Sequence, residues 1–276
     1  MNCKNILLFF IGLLLSCRAF SQPKATAESW YIEGLIASKL KSYSLAITYY
    51  TKAINRKPDY EDAYLNRGAA RYRLADCRGA LADYDSVVLL NPKNAKAVAG
   101  RGLAKECLGD TLAALADYEL ALNIDPKLSA AYNNKGNIPY WKHNYAGALM
   151  DYMKAVELDS TNMEAYAGVA NARTALEDYK SAMINYNKAI SLDATNGEYW
   201  YDRGVLKFHM GDLKGAISDF CQAIKLNPKN ADAWWNRAYA KDLTKDPEGA
   251  KKDFSQAIKL DPRHGPIYEQ YKKRKK

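Results

Sequence analysis

The chain has 276 residues, of which 48% are hydrophobic and 26% charged, a composition that excludes a disordered polypeptide and fits a folded, soluble one. Its formal charge of +9 suggests nucleic acid, but seven of those nine charges lie at the two ends, on Lys4, Arg18, Lys272, Lys273, Arg274, Lys275 and Lys276. The long stretch between is close to neutral, so the basic balance belongs to the ends and not to the folded body.

Residues 1–21 have the three-part layout of a secretory signal, with Lys4 in a short positive start and an apolar run from Ile6 to Leu15 too short to span a bilayer as a helix. Two processing sites compete. Ala19-Phe20-Ser21 before Gln22 puts small residues at the two positions signal peptidase inspects, whereas Leu14-Leu15-Ser16-Cys17 resembles a lipobox whose Cys17 becomes lipidated. The first fits better, because bulky Leu15 and Arg18 straight after Cys17 are atypical of lipoproteins. The expectation is an exported chain, periplasmic or secreted, with a membrane-anchored lipoprotein as the alternative. No second apolar stretch is long enough for a transmembrane helix. Residues 22–26 read as a linker. Beyond the signal stand Cys77, Cys107 and Cys221, an odd number without disulfide-framework or zinc-ligand spacing. Cys77 and Cys107 come from neighbouring repeats and can approach one another, but buried free thiols are the expectation.

From Ala27 to His264 the chain matches itself at a shift of 34 without insertion or deletion, which gives seven periods: 27–60, 61–94, 95–128, 129–162, 163–196, 197–230 and 231–264. Position twenty is alanine throughout, from Ala46 to Ala250, and an aromatic stands four residues later, from Tyr50 to Phe254. Position eight is only Gly or Ala. Small residues at eight and twenty let two helices approach, and the ring fills the space beside the contact. Position sixteen (Ser42, Asp76, Asp110, Asn144, Asp178, Asp212, Asp246) holds helix N-capping residues. Asn91-Pro92, Asp125-Pro126, Asn227-Pro228 and Asp261-Pro262 mark the ends of second helices. Residues 265–276, with Tyr268 again at the fourth position, read as a capping helix and basic tail.

Each unit resembles a tetratricopeptide repeat. The resemblance implies an all-α, right-handed superhelical solenoid of seven helix pairs plus the capping helix, with first helices lining a concave groove that binds protein. Two departures from the family stand out. Position seven, commonly leucine there, is Arg67, Arg101, Lys135, Arg203 and Arg237 here, and in the same five repeats position twenty-three is Asp83, Asp117, Asp151, Asp219 and Asp253. The repeats without the cation, which have Glu33 and Val169, carry Tyr49 and Asn185 instead, so an ion pair between the two helices is expected. Pro139 interrupts the first helix of the fourth repeat and should kink or shorten it, presenting Tyr140 and Trp141.

Positions 2, 5, 6, 9, 12 and 13 of a first helix share the side that can face a ligand. There stand Asn66, Asn133, Asn134, Asn137, Asn171, Asp202 and Asn236, with Tyr72, Tyr201, Phe208, Trp235 and Tyr239 as aromatic neighbours. With Tyr140 and Trp141 they form the candidate partner-binding groove, since an asparagine ladder can pair with the backbone of an extended peptide. It resembles the asparagine-lined groove of the tetratricopeptide arm of O-GlcNAc transferase. A carboxylate clamp of the kind found in Hsp90 and Hsp70 co-chaperones needs lysine near position two, where this chain has mostly acids, so it is not expected.

His143, His209 and His264 occupy different repeat positions, and no phosphate loop or HExxH motif appears. No catalysis, metal or cofactor is therefore expected. The expected partner is another protein, as an extended segment or a helix, with no specific nucleic acid. Membrane contact is expected only with lipid on Cys17. The alternative function is a lipid-anchored assembly factor, or a binder of anionic surfaces through the terminal lysines.

Overall fold

The computed structural model describes residues 25–275; residues 1–21, expected to be an export signal, lie outside them with Cys17. The described residues form fifteen helices and no strand. Helix pairs follow one another: α1 (Ala27–Lys39) and α2 (Tyr43–Arg56), α3 (Glu61–Arg73) and α4 (Cys77–Leu90), α5 (Ala95–Cys107) and α6 (Thr111–Ile124), α7 (Ser129–Trp141) and α8 (Tyr145–Leu158). Then come α9 (Met163–Ala175) and α10 (Tyr179–Leu192), α11 (Gly197–His209) and α12 (Leu213–Leu226), α13 (Ala231–Leu243) and α14 (Pro247–Leu260), closed by α15 (His264–Lys275). This is the all-α stack of helix pairs that the 34-residue period implies.

Contacts divide the chain into two units, Met1–Asp110 and Thr111–Lys276. Within each, every helix packs on the next, and first helices of adjacent repeats also touch: α1 with α3 and α3 with α5 in one, α7 with α9, α9 with α11 and α11 with α13 in the other. The alanines at position twenty and the rings four residues later are all buried, Ala46 and Tyr50 to 0% exposure. A Cβ added at Gly136 or Gly204 would stand 2.9 Å from the Tyr152 ring or 2.8 Å from the Phe220 ring, so the small residue at position eight sets how closely the ring is held.

The turn inside each pair is built by the backbone. Position fifteen is left-handed in all seven repeats, at Lys41, Ala75, Gly109, His143, Glu177, Gly211 and Lys245, with φ between 58° and 88°. In the second repeat Ala75 N donates to Tyr72 O and Asp76 N to Arg71 O, both at 2.9 Å, the double closure of a Schellman turn. Asp76, Asn144, Asp178, Asp212 and Asp246 then accept from the backbone N–H three residues on, while Ser42 makes no such bond.

Two expectations are corrected. Pro139 does not shorten α7, which keeps the 13 residues of the other first helices. The proline lies near the helix end, its carbonyl still accepts from Asn144 N at 2.9 Å, and the preceding Ile138 is buried. Nor are the cysteines buried thiols. Cys77, opening α4, and Cys107, closing α5, form a disulfide with Cα atoms 6.1 Å apart, and Cys221 is exposed.

The expected ion pairs form in repeats two, four, six and seven, and in three of these they are richer than a pair. Asp83, Asp219 and Asp253 are buried between helices. Arg203 Nε and Nη2 both donate to Asp219 at 2.8 Å, Arg237 holds Asp253 in the same two-pronged way, and Arg67 does so with Asp83. A second cation at position eleven, Arg71, Lys207 or Lys241, reaches the same carboxylate at 2.8 Å. The remaining guanidinium nitrogen reaches back one repeat, to Thr51, Asn187 or Cys221, and the guanidinium lies over the ring at position four, Tyr64, Trp200 or Trp234. The fourth repeat has one such bridge, Lys135 to Asp151 at 2.9 Å.

Replacing Arg203 by Met leaves Asp219 with Lys207 alone, and we expect a loss of ~3–5 kcal/mol in urea unfolding. Adding Asp219→Leu should recover much of it, giving a coupling above ~1 kcal/mol. Additive effects would show that the pair does not hold the helices together.

Candidate functional site on the first-helix wall

The residues expected to face a ligand lie on first helices, but the asparagines are not a row of free amides. Asn66 and Asn236 donate to the tyrosine hydroxyl one repeat earlier, Tyr31 at 3.1 Å and Tyr201 at 3.0 Å. Asn66 Nδ2 also donates to Asp62 O at 2.8 Å. Asn137 accepts from the hydroxyl of the buried Tyr152 at 2.8 Å, and Asn171 accepts likewise from Tyr186. Asn133 Nδ2 donates to Asn134 Oδ1 at 3.3 Å. Much of the hydrogen-bonding capacity of the ladder is therefore used to bind first helices to one another and to the rings behind them.

The aromatic candidates divide by surroundings. Trp141 is 73% exposed, and half-buried Tyr140 stands edge-on to it at 5.6 Å and to Tyr145 at 5.4 Å. Phe208 packs on Tyr239 at 5.6 Å. Tyr239 in turn meets Tyr271 of α15, and Trp235 stacks on His264 at 4.9 Å, so these two serve the closing helix. Tyr72 packs beside Tyr84 in the first unit, which also carries Asn66; the other candidates belong to the second unit.

The second unit brings Asn171, Tyr140 and Tyr201 each within electrostatic or hydrogen-bonding reach of Asp202. Burial, and then the Glu198 charge, push the half-buried Asp202 carboxyl up to about 7, against the opposing hydrogen bond from Asn171. Burial, then Asp232 and Asp202, push Tyr201 up to about 12. The wall thus holds an acid that is part neutral at pH 7, able to donate as well as accept. Among the described residues no cluster of three His, Cys, Asp or Glu side chains is placed to hold a metal ion, and no helix is long and apolar enough to cross a membrane. The sequence reasoning missed the second cation at position eleven and the tyrosine hydroxyls that claim the asparagines. A hint was available in Tyr31 and Asn66, and again in Tyr201 and Asn236, each set 35 residues apart.

Tetratricopeptide repeat models match residues 27–60, 164–196 and 231–264, a second such model matches 65–129, and a TPR repeat model matches 206–241. A comparison with curated proteins finds no match. Among solved structures the chain is similar to YrrB, described as a TPR protein with an unusual peptide-binding site (23% identity, 68% of this chain and 97% of that one, TM-score 0.54). It is also similar to a tetratricopeptide repeat protein from Parabacteroides merdae (22%, 85% and 93%, TM-score 0.58) and to pilF of Pseudomonas aeruginosa (16%, 76% and 97%, TM-score 0.66). At these identities the likeness shows the fold.

A carboxyl raised in the folded state favours folding below its unfolded value near 4, and that contribution fades as pH climbs through about 7. Asp202→Asn should therefore stabilise the chain by ~1–3 kcal/mol at pH 8.5 and give no such gain at pH 4, measured by denaturant unfolding. Equal effects at both pH values would place the carboxyl in open water.

Proposed function

The chain belongs to the tetratricopeptide repeat family and is a protein-interaction scaffold, and we propose that it works as a non-catalytic adaptor of the cell envelope. The proposed site is the part of the wall built by α7, α9 and α11, holding a peptide segment or helix of a partner. One observation carries this reading: Trp141 is exposed beside Tyr140, on the same helix as Asn133 and Asn134. Such rings give contact area at small entropic cost, and amides already held in place exchange hydrogen bonds with a peptide backbone without reordering. The peptide-binding site described for YrrB favours the same class of ligand. The repeat accounts for the ionisable residues as architecture, which leaves no set arranged for catalysis.

The setting rests on two supports. Residues 1–21 have the layout of an export signal, and a Cys77–Cys107 disulfide suits an oxidising compartment. A photocrosslinker at Asn133 should give partner adducts that Trp141→Ala reduces at least tenfold, while one at Leu89, on a second helix and 84% exposed, gives none. Equal adducts from both positions would remove the wall as the site. Intact-mass analysis of the exported chain should find Gln22 as its first residue; a lipidated Cys17 would replace the free adaptor with the anchored one.

A further inference from the structure

The repeats can be compared with one another at the space beside the buried aspartate. In repeats two, six and seven that space is filled from within by Arg71, Lys207 and Lys241, each 2.8 Å from the carboxylate. In the fourth repeat the same position is Pro139, which brings neither length nor charge. Asp151 keeps Lys135 at 2.9 Å, and its side chain is 18% exposed, against 2–5% for Asp83, Asp219 and Asp253. A cleft of about 350 Å³ opens at this point between α6, α7 and α8, all in the second unit. Leu115, Ile138 and Pro139 line it with apolar surface, alongside the carboxylates of Glu119 and Asp151 and the ammonium of Lys135. Lys142 stands exposed on the rim and makes no ion pair among the described residues.

We propose that this cleft receives a lysine or arginine side chain from a partner protein, its charge set against Asp151 and Glu119 where the sister repeats place their own cation. The fit is one of kind as well as charge. The internal occupants are long side chains with an apolar stem and a cationic head, and the cleft offers an apolar wall for the stem and carboxylates for the head. An acidic side chain could meet Lys142 at the rim but would set a further negative charge against Asp151 and Glu119, and a neutral one would leave Asp151 with only its existing bridge. The site lies at the junction of the two helices, off the asparagine face, so it stands or falls apart from the adaptor reading above.

The test titrates the full folded chain with the capped peptide Ac-Ala-Arg-Ala-NH2, and with Ac-Ala-Gln-Ala-NH2 as control, following backbone amide NMR signals of Gly147 and Lys135. The arginine peptide should give saturable shifts that fall as salt rises, and the glutamine peptide none. Pro139→Arg fills the cleft from inside; it should raise the thermal midpoint and abolish the shifts. Glu119→Gln, at an exposed position, should weaken binding at least threefold, and Asp151→Asn at least tenfold. Shifts from the arginine peptide that persist in Pro139→Arg, or equal shifts from the two peptides, would overturn the assignment.

Discussion

A carboxylate buried between two helices has to be answered by positive charge, and most of this architecture can be read as the answer. Asp219 illustrates it: Arg203 grips both oxygens, Lys207 adds a second charge, and the guanidinium rests on Trp200 while touching Asn187 of the repeat before. A buried pair of this kind adds little net stability over a well-packed apolar pair, but breaking it is expensive. Sliding one helix along the other by a single turn would strand the aspartate, so the arrangement fixes register where alanine contacts alone would allow slippage. Because the same arginine reaches into the preceding repeat, register passes from one helix pair to the next.

The helix pairs were legible because nothing interrupts their period and because turn residues recur at fixed offsets. The bridge between positions seven and twenty-three was legible for a different reason: the repeats lacking the cation, at Glu33 and Val169, also lack the aspartate. Position eleven left no such trace, since a lysine or arginine on a helix is ordinarily solvated, and only packing reveals that Arg71, Lys207 and Lys241 turn inward. The disulfide was hidden similarly. Cys77 and Cys107 are 30 residues apart, and only the stacking of α4 on α5 brings the start of one beside the end of the other. At the candidate site the residue types were legible, but not what they bind: an asparagine reads alike whether it meets water or the hydroxyl of Tyr31.

That difference matters for recognition. Amides tied to Tyr152, Tyr186 and Tyr201 are held in one orientation by rings that are themselves packed, so the wall is organised before any partner arrives. Its exposed element, Trp141, sits at the end of the one first helix that carries a proline. The same proline leaves Asp151 with a single bridge and opens the cleft beside it. The fourth repeat is thus where the regular pattern is relaxed, on two surfaces at once.

The left-handed residue that closes each first helix also bears on how such an array can change over time. Five of the seven are not glycine, and each non-glycine residue there carries a penalty of about 1–2 kcal/mol relative to ordinary helical geometry. The array holds that conformation because paired backbone hydrogen bonds impose it, whatever the side chain. Lys41, Ala75, Glu177 and Lys245 therefore form a dispersed reserve, in which a mutation to glycine can offset damage elsewhere, while His143 is also engaged with Tyr145 beside the candidate site. Lineages of this protein have room to experiment on their surfaces.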